Sequence, residues 1–279
     1  MQVYPALWGL GIGCGAAVAF GVCQHRGLRS PAVASVIGMA CVALFIGARL
    51  QYRIESMPLS LAIRIPIDSV RASGMRLPLG MVLAGAAAAF GCALFRLPWP
   101  EVGDALAVGS MVATAIGRIG CFLNGCCMGF VCPSWMEAAC VRPWPGSEAF
   151  GEQLSHDSLF QPTSLSAVVP LPLLFSVLSV VILCVLVKLL RSRWPPGTVL
   201  LTACLLGSIG KLILEQVRAV PRPGVLHLGI PVATAIVSVG VLLARRFASE
   251  LRAGPRAHAS GVAAVGHPSV VEEVERARS

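Results

Sequence analysis

Long apolar runs alternate with short polar links along the whole chain. The runs extend from about Pro5 to Cys23, Pro31 to Leu50, Pro78 to Leu97, Ala105 to Leu123, Ser166 to Leu190, Gly197 to Val217 and Leu226 to Leu243. At 1.5 Å per residue, runs of this length span a hydrocarbon core of about 30 Å as α-helices. None alternates strictly between apolar and polar positions, as barrel strands would. The pattern predicts an all-α, polytopic integral membrane protein with about seven transmembrane helices.

The links differ in charge. Gln24 to Ser30 carries His25, Arg26 and Arg29, and Lys188 to Arg193 and Arg245–Arg246 are also basic. With seven spans these segments fall on one side. The largest polar insertion, Asn124 to Ser164, falls on the other and sets Glu137, Glu148, Glu152 and Asp157 against Arg142. The positive-inside rule then puts the N-terminus outside and the C-terminus in the cytoplasm. Gln51 to Leu77, with Arg53, Arg64, Arg71 and Arg76, is net positive yet lands outside, where lipid phosphates would meet its arginines. Its stretch Leu59 to Val70 reads as interfacial. Pro98 to Asp104 reads as a short acidic link. The expected organisation is a seven-helix membrane domain over 1–247, with an outer loop at 124–164, and a cytoplasmic, disordered tail over 248–279.

Composition agrees with the pattern. Of 279 residues, 56% are hydrophobic and 13% charged, and the mean hydropathy is +0.79. The formal charge of +9 is scattered between apolar runs, so it points to membrane topology and anionic lipid rather than nucleic acid. No basic residue precedes the first run, which argues against a cleaved signal peptide. Of eleven cysteines, Cys14, Cys41, Cys92, Cys184 and Cys204 sit in apolar runs as packing thiols. Cys121, Cys126, Cys127, Cys132 and Cys140 cluster without paired C-x-x-C spacing, so no metal site is expected. A disulfide within the loop would require an oxidising compartment.

One stretch carries chemistry: Ala115 to Phe130, A-I-G-R-I-G-C-F-L-N-G-C-C-M-G-F. Arg118 lies inside an apolar run, where a charge must pair, line a wet cavity or serve a function. Gly117, Gly120, Gly125 and Gly129 permit close approach of a backbone or ligand. The stretch resembles the signature of the prolipoprotein diacylglyceryl transferase family, approximately G-R-x-G-N-F-x-N-G-E-x-x-G. Gly117, Arg118, Gly120, Phe122, Asn124, Gly125 and Gly129 match. Cys121 stands for the first asparagine and Cys126 for the acid.

Three further stretches are similar to family motifs in part. Lys211, Glu215 and Arg218, spaced i, i+4, i+7, share one helix face and resemble R-F-x-x-E-x-x-R with Lys211 replacing the first arginine. Gln161-Pro162-Thr163-Ser164-Leu165 resembles H-P-[ST]-Q-L, although Thr163 also reads as a plain helix cap. Ser73-Gly74-Met75-Arg76-Leu77-Pro78-Leu79-Gly80 resembles S-G-M-x-F-H-G-G, with Pro78 in place of the histidine. Trp8-Gly9-Leu10 stands where the family has Tyr-Gly-Leu. Of the five histidines, His156 and His227 are placed to reach the site. His25, His258 and His267 fall on the cytoplasmic side.

The resemblance implies an enzyme of the bacterial inner membrane that needs no cofactor and no metal. The lipobox cysteine thiol of a prolipoprotein would attack the glyceryl carbon of phosphatidylglycerol, and glycerol 1-phosphate would leave. Arg118, Glu215 and Arg218 are implied as catalytic. Arg118, Asn124, Gly129, Lys211 and Arg218 are implied as substrate-binding. Its partners are phosphatidylglycerol, the prolipoprotein signal peptide and membrane lipids, with no nucleic acid. The alternatives are a paralogue with another acceptor, an inactive lipid-binding relative, or a transporter or membrane thiol-redox protein. No internal repeat supports the transporter.

Overall fold

A computed structural model describes residues 3–28, 31–56, 76–156, 166–192, 194–218 and 225–262. The helices are α1 (Val3–His25), α2 (Pro31–Ser56), α3 (Leu77–Leu94), α4 (Trp99–Leu123), the short α5 (Glu148–His156), α6 (Leu171–Arg191), α7 (Thr198–Glu215) and α8 (Val225–Val262). A 3-10 turn covers Ser134–Ala139. Among the described residues, seven helices are long and apolar enough to cross a membrane, and the protein is an all-α polytopic membrane protein. Large apolar side chains point away from the protein along the spans: Val42, Phe90, Leu94, Val177 and Ile236 are all more than 60% exposed. In lipid such exposure carries no hydrophobic cost.

Two link readings change. α2 continues through Ser56, so Gln51, Tyr52, Arg53 and Glu55 are helical rather than in a connection. α4 starts at Trp99, so Glu101 and Asp104 lie inside the span. Ser73 to Met75, Leu59 to Val70, Arg64, Arg71, Asp157 and Gln161 to Leu165 fall outside the described residues, as does 263–279. α8 runs past Gly254 to Val262. By its contacts the chain forms two units, Met1–Ser238 and Val239–Ser279.

α4 is the centre of the first unit. It packs on α1, α3, α6 and α7 and is buried on several sides along its length. One apolar cluster joins α1, α2, α3 and the start of α4 through Ala19, Val33, Val36, Ala88 and Val102. A second joins α4 to α6 and α7 through Met111, Ile182, Leu186 and Val199. The α1–α4 contact is backbone on backbone. A Cβ on Gly109 would lie 2.3 Å from the Gly15 carbonyl oxygen. Small residues let two helices approach this far, and in lipid that close packing is a main source of helix association.

Asp104 holds one end of α4 in place. Its carboxylate is 1% exposed and accepts from the backbone N–H of Gly197 at 3.0 Å and Leu200 at 2.9 Å. It thereby caps α7 from a neighbouring helix, since Gly197 itself has no side chain to do so. Arg26 Nη1 completes the arrangement at 3.2 Å from the same carboxylate. The acid that reads as a solvated link residue is a buried structural anion.

Candidate functional site

Arg118 lies in the last turns of α4, at the opposite end from Asp104. Its guanidinium stands 4.3 Å over the Phe175 ring of α6, a cation–π contact that stabilises a charge in an apolar setting. One turn earlier, the Ser176 hydroxyl donates to the Ala115 carbonyl at 2.8 Å and fastens α6 to α4 at this level. Among the described residues, Arg118 Nε is buried without a hydrogen-bond acceptor. Among the described residues no carboxylate lies within ion-pair distance of it, whereas Arg26, Arg76 and Arg218 each have one.

The end of α7 supplies the second half. Lys211 Nζ lies 3.4 Å from Glu215 Oε2, and Arg218 Nε lies 2.5 Å from Glu215 Oε1. All three side chains are largely buried, at 19%, 8% and 6% exposed for Lys211, Glu215 and Arg218. The helical spacing read from the sequence holds for Lys211 and Glu215, whereas Arg218 lies three residues past the end of α7 and turns back onto Glu215, which bridges the two cations. Arg118 acts electrostatically on Lys211, so the structure brings Arg118, Lys211, Glu215 and Arg218 into one neighbourhood. Three cations there face one carboxylate.

Gly129 connects the two halves. Its N–H donates to the Val169 carbonyl at 2.8 Å, and the next N–H, of Phe130, donates to the Val217 carbonyl at 3.0 Å. Gly129 pairs with Arg218 in an isolated antiparallel bridge. A Cβ on Gly129 would lie 2.8 Å from the Val217 oxygen and 2.8 Å from the Val169 Cβ. The glycine thus has a packing role: it lets the loop after α4 reach the backbone beside Arg218. Gly125 has φ +67°, and a Cβ there would fall on Ser147, so the turn that leaves α4 also depends on a missing side chain.

Asn124 closes α4. It lines a hollow of about 180 Å³ with Tyr4, Trp144 and their neighbours. Trp144 packs edge-on against Phe122, with ring centroids 5.8 Å apart. Tyr4 links this hollow to the cationic group, because it lies within electrostatic reach of Arg118. Sequence reasoning passed over Tyr4. The available signal was its position one turn before Trp8, on the same face of α1. Trp8 fills the space over Gly117, whose Cβ would lie 2.7 Å from the indole ring.

The cysteines separate into two groups. Cys132 and Cys140 form a disulfide that closes the 3-10 turn carrying the exposed Trp135. Cys121 and Cys126 are buried free thiols packed with Trp8, Tyr4, Leu77 and Cys127. Hydrogen bonding with Cys121, then with Cys127, and burial push the Cys126 thiol well above the usual range. Among the described residues no cluster of His, Cys, Asp or Glu could hold a metal ion.

The head of α3 carries a network that the sequence did not reveal. Gln51 Oε1 accepts from the Leu79 N–H at 2.8 Å, and its amide nitrogen donates to Glu55 at 3.3 Å. Arg76 pairs with Glu55. Pro78 is buried in the first turn of α3, where it offers no titratable group. Backbone alone is described for His156 and His227, which lie at the end of α5 and the start of α8.

A family model described as prolipoprotein diacylglyceryl transferase matches residues 1–247. The chain belongs to this family. No curated protein matches the chain significantly. The match takes in all seven spans and ends just beyond the last, which closes at Arg245. As a member of the prolipoprotein diacylglyceryl transferase family the protein is a multi-pass membrane transferase of lipoprotein biosynthesis, acting at family level on prolipoproteins and lipid donors.

Proposed function

We propose that the protein transfers the diacylglyceryl group of phosphatidylglycerol to the lipobox cysteine thiol of prolipoproteins and releases glycerol 1-phosphate. Arg118 carries the reading. A guanidinium that has, among the described residues, no carboxylate partner and no acceptor on its buried Nε is a site for an anion from outside the protein. A phosphodiester fits the planar fork of donors. As the C–O bond to the glyceryl carbon breaks, charge builds on the phosphate, and fixed cations stabilise that charge most. Arg218, held by Glu215, and Lys211 flank the same region. Asn124 offers an amide to a head-group oxygen from the side of the Tyr4 hollow.

The enzyme works in the bacterial inner membrane with its N-terminus outside. Arg118 and the 124–156 loop then face the outer leaflet, where the Cys132–Cys140 disulfide is stable. Lys188 and Arg191, in the last turn of α6, face the cytoplasm.

The test is expression in a strain depleted of its own diacylglyceryl transferase, together with an assay on a lipobox peptide and phosphatidylglycerol in detergent. Restored growth and a thioether-linked peptide are the expected results. Pro78 at the head of α3 favours one second reading, the same chemistry on another acceptor. Failure to restore growth, with donor nevertheless consumed and glycerol 1-phosphate released in membranes, would support it.

A further inference from the structure

Thioether formation frees a proton, and some group must take it. Among the described side chains around Arg118, few can do so. Arg118 and Arg218 keep their protons at any physiological pH. Glu215 is held between two cations, at 2.5 Å and 3.4 Å, and a carboxylate so placed is a very weak base. Asn124 and Trp8 do not titrate, Tyr4 is a proton donor at neutral pH, and the Cys121 and Cys126 thiols are buried against Trp8 and Tyr4. Gln51, Glu55 and Arg76 satisfy one another at the head of α3.

Lys211 remains. Its contact to Glu215, at 3.4 Å, is longer than the roughly 2.7–2.9 Å of a strong charge-assisted bond, and the other oxygen of that carboxylate is taken by Arg218. The charged groups acting on it are Arg118 from α4, Glu215 from its own helix and Arg218 from the segment just past that helix, two guanidiniums against one carboxylate. Lysine differs from arginine in being able to work as an uncharged amine when it is enclosed beside other cations.

We propose that Lys211 is the general base of the transfer, accepting the proton of the acceptor thiol. The step balances. The neutral amine takes the thiol proton and becomes an ammonium ion. The sulfur forms a bond to the glyceryl carbon while that carbon's bond to the phosphate oxygen breaks. The phosphodiester monoanion leaves as a phosphomonoester dianion, facing the new ammonium and the guanidiniums. The ammonium afterwards returns its proton to solvent through the departing phosphate. This role rests on the transferase reading above.

The test compares wild type, Lys211→Arg, Lys211→Ala and the His156→Ala/His227→Ala double variant, measuring kcat/KM against pH with phosphatidylglycerol and a lipobox peptide. Lys211→Arg keeps the charge beside Glu215 and so preserves folding and donor-lipid binding, which vesicle titration checks. Its rate should fall on the order of a hundredfold or more at pH 7 and should then climb with pH as the peptide thiol ionises by itself. Methylamine should restore Lys211→Ala in proportion to free base, and it should leave Lys211→Arg unchanged. The double histidine variant should keep the wild-type profile. A Lys211→Arg enzyme with wild-type rate and profile, or a profile altered only in the histidine variant, overturns the proposal while the transferase reading stands. A wild-type protein that transfers nothing overturns both.

Discussion

Arg118 is the residue on which the proposed chemistry depends most. Arg118→Lys should fail almost as badly as Arg118→Ala, because lysine keeps the charge and loses the two parallel donors. The expected loss is about 3–4 kcal/mol of transition-state stabilisation, on the order of a hundred- to a thousandfold in rate. The measurement is transfer to a lipobox peptide per folded molecule. A purely structural arginine would lower the amount of folded protein and leave turnover normal. The thiols lead to the opposite expectation. Cys126 is buried with its proton held tightly among Cys121 and Cys127, so it is no nucleophile at neutral pH. Cys126→Ser/Cys127→Ser should retain most of the transfer. Abolished transfer in a well-folded double variant would favour thiol-based chemistry instead.

At the scale of elements, stability comes from contacts between helices more than from any single span. Asp104→Asn removes the charge that meets Arg26 and half of the acceptor capacity that caps α7. Breaking a buried pair of this kind costs about 3–5 kcal/mol, so the melting temperature in detergent should fall clearly. Asp104 is about 21 Å along α4 from Arg118 at 1.5 Å per residue, so turnover of the folded fraction should stay normal. Glycine substitutions should divide by contact. Gly109→Leu would push α1 off α4, because even its Cβ would overlap the Gly15 backbone, and should leave little folded protein. Gly85→Leu, with no atom within 4 Å of the new Cβ, should be nearly neutral. Equal melting temperatures for the two would refute the close α1–α4 packing.

For the whole molecule, the proposed orientation has a direct consequence. With the N-terminus outside, the 124–156 loop is extracellular and the end of the last span is cytoplasmic. A membrane-impermeant maleimide applied to intact cells should label Glu148→Cys and should not label Arg245→Cys until the cells are opened. The opposite pattern would reverse the topology and put the Arg118 end of the bundle in the wrong leaflet for the proposed reaction. The disulfide at Cys132–Cys140 supports the same side. The basic residues in the last turn of α6 support it independently.

The spans were legible because hydrocarbon requires a continuous helix of fixed length, and seven such runs appear in the chain with ends displaced by a few residues. Arg118 was legible because a charge inside a span is conspicuous, and Lys211 and Glu215 because their spacing obeys the helical period, while Arg218 lies past the end of that helix. What lay beyond the sequence was which elements meet. Asp104 reads as a link residue until α7 places two N–H groups on its carboxylate. Gln51, Glu55 and Arg76 read as separate polar residues until α2 and α3 bring them together. Gly129 matches a motif, but its packing role comes from the backbone beside Arg218, nearly ninety residues later in the chain. Local periodicity follows from neighbours along the chain and is written in the sequence. Pairings between distant segments depend on how α1, α3, α6 and α7 pack around α4, and only the tertiary structure decides them.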